Sequence, residues 1–216
     1  MRNTNNILPK IDWNILNRYI DGNLIVANKH IEYDIWILNY SPKVQAQKLW
    51  DEYTSAARGL IIDANGNILA RPFEKFKNYE EYSISDIPTN EKFEVFEKMD
   101  GSLIILFYYA AEAEWIIASR GSFISEQAME ARKIFNVNTF KNLHKKYTYL
   151  FEVIYPENRI VVDYGNKREL ILLTVINTSN GSEYSYDTLE KIYSKYFKIV
   201  PKLKINTFEE LLKYRE

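Results

Sequence analysis

Cysteine is absent from this 216-residue chain, and His30 and His144 are its only histidines. Without cysteine the protein has no disulfide, no thiolate nucleophile and no cysteine-ligated zinc site. Two histidines are too few for a histidine-rich metal centre. The two scarcities together exclude whole classes of thiol and metal chemistry.

Long apolar runs are also absent. No stretch approaches the ~18 residues that a membrane-spanning helix needs. Residues 1–6 are polar and lack the apolar core of a signal peptide. We therefore expect a soluble, cytoplasmic protein.

An excess of charge of either sign is missing, because 28 Lys and Arg residues face 29 Asp and Glu residues, which gives a net charge of −1. No global field attracts nucleic acid, so a polyanion would have to meet a local basic surface. The basic run Lys141, His144, Lys145 and Lys146 could contact an RNA phosphate backbone. Such a run is more often a solvated helix face.

Glycine is scarce, with seven residues, whereas 17 residues are tyrosine and 46% are hydrophobic. This composition predicts a sheet-rich fold with a substantial core, and the length suits a single domain of residues 1–216. Helices are inserted between hairpins, one of which turns at residues 65–66 (Asn-Gly), so an α+β fold with antiparallel sheets is favoured over a doubly wound parallel sheet. The predicted helices are residues 12–20, 125–135, 138–146, 186–196 and 207–214, and the predicted strands are residues 33–40, 57–63, 67–71, 93–96, 103–107, 114–121, 147–155, 159–163 and 170–176.

The segment 97–102 (Glu-Lys-Met-Asp-Gly-Ser) lies between the apolar runs 93–96 and 103–107. A lysine on a tight turn between two buried strands is poorly solvated, and apolar walls favour its neutral, nucleophilic form. Gly101 allows a sharp turn or a close approach of the backbone to a ligand. Lys98 is therefore a candidate nucleophile, and a surface hairpin with a charged tip is the alternative.

Further polar groups stand at the ends of apolar strands. Three of them are cationic: Arg58, Lys75 with Lys77, and Arg120. Glu152 places a carboxylate inside an otherwise apolar strand, where an unpaired charge would be costly. The cations could be partners of this carboxylate or share a ligand with it. Each group alone is more often a solvated surface residue, whereas their combination with the lysine segment indicates a site.

In order and in sequence, these segments resemble the nucleotidyltransferase domain of the ATP-dependent RNA ligases of the T4 RNA ligase 1 type. The resemblance runs from about Trp36 to the C-terminus and implies a ligase-type nucleotidyltransferase fold, with antiparallel sheets flanked by helices. Lys-x-Asp-Gly is shared with DNA ligases and capping enzymes, whereas the other segments are more specific to RNA ligases. The matching segments are residues 57–63, 71–78, 97–102, 119–122 and 151–161.

The resemblance implies a reaction in which Lys98 attacks the α-phosphate of ATP, expels pyrophosphate and forms a lysyl-AMP phosphoramidate. AMP then passes to the 5′-phosphate of an RNA end, and a 3′-hydroxyl displaces it to seal the strand. Arg58, Lys75 and Arg120 are implied to neutralise phosphate charge in the transition state. Mg²⁺ is implied on the phosphates, held mostly through water, and no residue is assigned as its ligand.

The resemblance assigns the other site residues to the nucleotide. Glu152 is implied to accept a hydrogen bond from the ribose hydroxyls. Asp100 and Gly101 are implied to shape the lysine loop, and Ser102 belongs to the same nucleotide-binding segment. Glu97 is implied to place its backbone against the adenine.

The sequence departs from the family pattern at three places. Lys77 stands where the family usually has a second aromatic residue. Arg120 replaces the usual lysine, which keeps the positive charge but exchanges a compact ammonium for a planar, forked guanidinium. No Glu-Gly dipeptide occurs in the chain, although the family has one ahead of a Lys-x-Lys motif, and both motifs bind metal and triphosphate. Residues 202–204 have the Lys-x-Lys spacing but come too early, so a solvated loop explains them better. We therefore expect an adenylyltransferase domain that is incomplete at its C-terminus, either a trimmed fragment or a shortened relative.

Three functions remain open. The intact Lys98, Arg58, Lys75 and Glu152 favour an RNA ligase adenylylation domain, because a binding module needs no positioned nucleophile. The missing motifs favour a degenerate ligase fold that binds nucleotide or RNA ends without full catalysis. A DNA ligase or a guanylyltransferase would share Lys98 but should not carry the RNA ligase segments.

Overall fold

The structure, a computed structural model, describes residues 8–83 and 91–213. Their contacts group into two compact units. The first contains the described residues up to Lys75 together with Asp100–Ile199, and the second contains Phe76–Met99 and the described residues from Val200 onward. The helices are α1 (Trp13–Asp21), α2 (Pro42–Gln47), α3 (Glu52–Ala56), α4 (Glu126–Ile134), α5 (Tyr186–Tyr193) and α6 (Phe208–Lys213), and the strands are β1 (Ile25–Lys29), β2 (Ile35–Tyr40), β3 (Arg58–Asp63), β4 (Ile68–Ala70), β5 (Val95–Phe96), β6 (Ser102–Tyr109), β7 (Glu114–Ser119), β8 (Tyr147–Ile154), β9 (Glu169–Asn177), β10 (Lys198–Ile199) and β11 (Lys202–Leu203).

The first unit is built from two sheets that share a core. Sheet one has the strand order β1-β2-β3-β4, and sheet two has the order β10-β9-β8-β6-β7. β10 pairs with β9 in parallel, and the other neighbouring strands are antiparallel. Leu16 of α1 is buried against sheet one, and Ala131 of α4 and Leu189 of α5 are buried against sheet two. The predicted α+β architecture with antiparallel sheets is confirmed.

Strand β6 lies inside sheet two and faces a core on each side. Ile105 and Phe107 are buried in the core that sheet two shares with Ile61 of sheet one. Ile104 and Leu106 are buried in the opposite core, beneath α4 and α5. Because successive side chains of a strand point to opposite faces, a strand that is covered on both faces needs an uninterrupted apolar run. The sequence of β6 meets this requirement.

Two predicted helix starts are confirmed by their caps. The Asp12 carboxylate accepts a hydrogen bond of 2.7 Å from the backbone N–H of Asn14 and caps α1. The Ser125 hydroxyl accepts one of 3.2 Å from the backbone N–H of Ala128 and caps α4. Each cap satisfies a backbone donor that the first helical turn leaves without a partner.

The predicted hairpin between β3 and β4 is also confirmed. Gly66 adopts a φ of +77°, and a Cβ there would lie 1.9 Å from the carbonyl oxygen of Ile11. Glycine is therefore required both by the left-handed backbone and by the close approach of a neighbouring segment.

Several elements differ from the predictions. β1, α2 and α3 were not predicted, because β1 is half exposed and the two helices have only six and five residues within a polar stretch. The predicted helix of residues 138–146 is instead a 3₁₀ helix at Val137–Asn142. α5 ends three residues before the predicted 196. α6 matches its prediction up to Lys213, whereas position 214, like residues 1–6, lies outside the described residues.

The second unit contains a two-stranded sheet in which β5 pairs with β11, with Phe96 opposite Lys202. The ring of Tyr79 contacts that of Phe208 in α6, with their centroids 6.1 Å apart. In the parts of the chain that the structure describes, each helix is too short or too polar to cross a membrane.

Candidate active site

The central strands of sheet two bring several predicted site residues to one end of the first unit. Leu103, near the start of β6, lies opposite Glu152 of β8. On the other side of β6, Ile104 lies opposite Ser119, the last residue of β7, so Arg120 follows directly at the same end of the sheet. The register of three strands therefore gathers Arg120, Glu152 and the segment that precedes β6.

Gly101 packs directly against β8. Its backbone N–H donates a hydrogen bond of 3.0 Å to Oε1 of Glu152. A Cβ at this position would lie 2.3 Å from the carbonyl oxygen of Val153 and 3.1 Å from Cγ of Glu152. Glycine is therefore required by the close approach of its backbone to β8, whereas a sharp turn or an approach to a ligand was expected from the sequence. The half-buried Glu152 thus holds the start of β6 through one carboxylate oxygen.

Asp100 anchors a distant segment of the chain. Its Oδ2 accepts hydrogen bonds of 2.6 Å from the backbone N–H groups of both Val161 and Val162, and its own N–H donates one of 3.1 Å to the Tyr164 hydroxyl. The predicted strand of residues 159–163 is therefore wrong, because two of its backbone donors bond to a carboxylate and not to a neighbouring strand. Tyr164 was not singled out from the sequence, and no motif marks it.

A cavity of about 310 Å³ lies beside Asp100. Its lining includes Tyr155, Arg159, Tyr164 and Asn166, so it combines ring faces with polar groups. Ser102, the first residue of β6, exchanges hydrogen bonds of 3.0–3.2 Å with the side-chain amide of Asn158. The start of β6 and the chain after β8 are consequently fixed to each other.

Sheet one brings Arg58 to the same end of the unit. Arg58 begins β3 opposite Asn39 of β2, and the Asn39 side-chain amide donates a hydrogen bond of 3.0 Å to the carbonyl oxygen of Arg120. Gly59 adopts a φ of +90°, and a Cβ there would lie 3.1 Å from the same oxygen. The structure thus places the backbones of two predicted phosphate-binding cations, 62 positions apart in the chain, next to each other. Asn39 was not predicted, and a lone asparagine at a strand end gives no sequence signal.

Lys75 is held by α3 and by an aromatic side chain. Its backbone N–H donates a hydrogen bond of 2.8 Å to the carbonyl oxygen of Ser55 in α3. Its Nζ lies 5.5 Å from the centroid of the Trp50 ring, within the range of a cation–π contact. Sequence reasoning overlooked Trp50, and the available signal was a lone tryptophan in the otherwise polar stretch that precedes Arg58.

Lys98 and Glu97 belong to the second unit, and Lys98 is joined to Asp100 through Met99. Both side chains are exposed, and the backbone N–H of Glu97 donates a hydrogen bond of 2.9 Å to the carbonyl oxygen of Pro201. The predicted tight turn of Lys98 between two buried strands is therefore wrong. β5 is a half-exposed pair of residues that pairs with β11 and not with β6, so apolar walls do not surround the ammonium group.

Two further lysines of the second unit have partners of their own. Residues 202–203 form β11 and not a solvated loop, and the Lys202 ammonium lies 2.5 Å from the Glu94 carboxylate. Lys77, at the position of the missing aromatic residue, has its Nζ 5.1 Å from the centroid of the Tyr82 ring. At the position where the family usually has an aromatic side chain, this chain thus has a lysine that packs on the ring of Tyr82.

Comparisons with known proteins show the family of this chain. The family model for RNA ligases of the T4 RNA ligase 1 type matches residues 56–216. This chain belongs to the RNA ligase family. It is 27% identical over 75% of its length to a candidate bifunctional polynucleotide kinase/RNA ligase of Autographa californica nuclear polyhedrosis virus, and 26% identical over 64% to an RNA ligase of Rhodothermus phage RM378. These matches cover 26% and 40% of the two relatives, so the chain spans less than half of either.

A solved archaeal ATP-dependent RNA ligase has the same fold. The TM-score is 0.66 at 15% sequence identity, and the match covers 93% of this chain and 52% of that one. At such low identity the likeness supports the nucleotidyltransferase fold and nothing finer. The predicted fold class is confirmed.

The charged groups outside this site bear on the predicted metal and RNA contacts. Within residues 8–83 and 91–213, no group of three or more His, Asp and Glu side chains is placed to hold a metal ion. In the basic run, Lys145 lies over the ring of Tyr108, with Nζ 4.1 Å from the centroid and 3.0 Å from the hydroxyl. This lysine is therefore partly engaged with the protein surface and does not extend freely from a helix.

Proposed function

We propose that this chain is the adenylylation domain of an ATP-dependent RNA ligase. The observation that carries the proposal is the convergence of the RNA ligase segments. The pairing of β6 with β7 and β8 brings Gly101, Arg120 and Glu152 to one end of sheet two. Arg58 joins them through Asn39, which lies opposite Arg58 in sheet one and donates a hydrogen bond to the carbonyl oxygen of Arg120. Converging cations and a carboxylate suit a nucleotide, which carries both phosphates and ribose hydroxyls. We also propose that residues 1–216 form one adenylyltransferase domain with the two units as its parts.

In the first step, the Nζ of Lys98 forms a bond to the α-phosphorus of ATP while the bond from that phosphorus to the bridging oxygen breaks. Pyrophosphate leaves with the electron pair, and the proton of the amine passes to solvent. Exposure of Lys98 leaves the amine accessible for this attack. AMP then passes to an RNA 5′-phosphate, and a 3′-hydroxyl displaces AMP and seals the strand.

The first-unit cations neutralise phosphate charge in this scheme. The carbonyl oxygen of Arg120 lies close to Gly59, the residue after Arg58. The backbone of Lys75 is bonded to Ser55, three residues before Arg58. Preorganised cations stabilise the charge that develops on the phosphoryl oxygens without reorganising during the reaction. We assign Arg58, Lys75 and Arg120 this role.

The nucleoside is held by the other site residues. Glu152 uses Oε1 for the Gly101 N–H, and a carboxylate has capacity for further donors, such as a ribose hydroxyl. Asp100, Gly101 and Ser102 fix the start of β6, and the backbone of Glu97 faces the adenine. Mg²⁺ would lie on the triphosphate with mostly water ligands, where it neutralises phosphate charge. A metal ion held mostly by water needs few protein ligands. This fits a region in which Oδ2 of Asp100 is already engaged with two backbone N–H groups. A cytoplasmic location completes the proposal.

Intact mass spectrometry after incubation with ATP and Mg²⁺ tests the proposal. We expect the wild-type protein to gain the mass of one AMP, and added pyrophosphate to reverse the gain. Lys98→Ala should show no gain, whereas Lys92→Ala, which removes another exposed lysine of the second unit, should behave as wild type. ATP binding without an adduct in the wild type would refute the ligase assignment in favour of a binding module. An adduct that persists in Lys98→Ala would refute the assignment of the nucleophile.

A further inference from the structure

Trp50 presents its ring to the ammonium group of Lys75. The Lys75 Nζ lies 5.5 Å from the ring centroid, and the Tyr40 ring meets the Trp50 ring edge-on, with centroids 4.9 Å apart and an interplanar angle of 87°. An edge-on neighbour restricts rotation of the tryptophan while leaving a face available. The lysine therefore meets a ring of restricted orientation.

Both partners of this contact are attached to α3. Trp50 directly precedes Asp51, whose carboxylate caps α3 by accepting a hydrogen bond of 2.8 Å from the Thr54 N–H. Lys75 is bonded through its backbone to Ser55 in the same helix. The short helix thus fixes the distance between the backbones of the ring and the lysine, so the direction of the lysine stem sets how the ammonium group meets the ring.

We propose that Trp50 is a positioning residue for Lys75, and that it holds the lysine ammonium oriented towards the phosphates of a bound nucleoside triphosphate. This inference rests on the proposed function. A lysine side chain loses much rotamer freedom when it contacts a ligand. Attraction to the ring face removes part of that freedom before the nucleotide arrives, which strengthens binding of the nucleotide.

Fluorinated tryptophans at position 50 provide a test that a purely structural role would not affect. Replacing Trp50 by its mono-, di- and trifluorinated analogues weakens the negative face of the ring stepwise while its shape stays nearly constant. We expect the dissociation constant for ATP, measured by calorimetry in the Lys98→Ala background, to rise stepwise. The total change should be about two- to five-fold, which corresponds to the ~0.5–1 kcal/mol of an exposed cation–π contact.

The chain offers a matched control in the same unit. Lys29 Nζ lies 5.4 Å from the centroid of the Trp36 ring, so fluorination at Trp36 weakens a similar contact that does not involve Lys75. We expect the ATP affinity of the Trp36 series to stay constant. The Trp50 series repeated on Lys75→Met should also show no trend, because the cation that senses the ring is gone.

The outcomes separate this inference from the proposed function. If ATP binds and forms the adduct but the Trp50 series shows no trend, Trp50 does not position Lys75 and the ligase assignment stands. An affinity that rises with fluorination overturns the inference as well, since the ring would then hold the lysine away from the nucleotide. A stepwise loss of affinity in a chain that forms no adduct supports the positioning role and refutes the ligase assignment. Absence of ATP binding by the unmodified protein overturns both.

Discussion

Gly101→Ala is the substitution for which the structure gives the sharpest expectation. The added Cβ would lie 2.3 Å from the carbonyl oxygen of Val153, closer than real Cβ contacts approach, and 3.1 Å from Cγ of Glu152. Val153 belongs to β8, an interior strand of sheet two that is bonded on both sides. The strand cannot move without breaking its ladder, so the start of β6 has to move instead.

The cost has two parts. Forcing an extra methyl group into a well-packed position costs about 1–3 kcal/mol. Displacing the Gly101 backbone also weakens its hydrogen bond to Oε1 of Glu152, and a hydrogen bond contributes about 0.5–1.5 kcal/mol. We expect a loss of about 3 kcal/mol in the free energy of unfolding. For a chain of this size, that corresponds to a decrease of about 6–12 °C in Tm.

Thermal unfolding and the rate of AMP adduct formation measure the two consequences. The adduct should form more slowly in Gly101→Ala at a temperature at which the variant is folded, because the start of β6 is displaced from Glu152 and the chain that leads back to Lys98 moves with it. Gly121→Ala is the matched control, since a Cβ there meets no atom within 4 Å, and its stability should change by at most about 0.5 kcal/mol. Equal Tm values for the two variants would show that the close approach of Gly101 to β8 is not real.

Two further predictions concern stability. Arg71 is buried, and its guanidinium donates to the carbonyl oxygens of Leu8 at 2.8 Å and Thr178 at 3.1 Å. Arg71→Met leaves both oxygens without these donors and should lower the free energy of unfolding by about 2–4 kcal/mol. An unchanged urea midpoint would contradict this structural role. Burial and the hydrogen bond to Asp51 raise the pKa of Tyr19 to about 12, and burial raises the pKa of Tyr149. The unfolded chain releases these protons from about pH 10. This stabilisation is therefore complete below about pH 10 and is lost as the pH rises towards the folded pKa. The urea midpoint should fall between pH 9 and 11.5, and by less in Tyr19→Phe, whereas a constant midpoint would refute the raised pKa.

The elements that could be predicted are those whose signals are local. A cap such as Asp12 or Ser125 acts within three residues, and the 65–66 turn acts within four, so their sequences suffice to identify them. The long strands of sheet two are covered on both faces, so apolar runs in the sequence identify them. β5 could not be predicted correctly because its partner, β11, lies more than 100 positions away in the chain and is only two residues long.

The candidate site divides along the same line. Arg58 and Arg120 at strand ends, and Glu152 inside a strand, were recognisable because they interrupt apolar patterns. That Arg120 and Glu152 lie at one end of sheet two depends on the register of β6, β7 and β8, and that Arg58 lies near Arg120 depends on the contact between the two sheets at Asn39. No local pattern encodes either. Trp50 and Asn39 act through contacts with residues distant in the chain, at Lys75 and Arg120, and neither belongs to a motif.

The lysine segment shows why its motif is weak evidence by itself. Asp100, Gly101 and Ser102 bond to partners that lie 51 to 64 positions later in the chain, in β8 and in the chain that follows it. Their conformation is therefore a property of the assembled first unit and not of a local turn. A chance Lys-x-Asp-Gly sequence lacks a glutamate to receive the glycine N–H and a loop whose amides reach the aspartate. In this chain both partners are present, namely Glu152 and the backbone of residues 161–162. They fix the backbone from Asp100 onward, and Lys98 lies two residues before it.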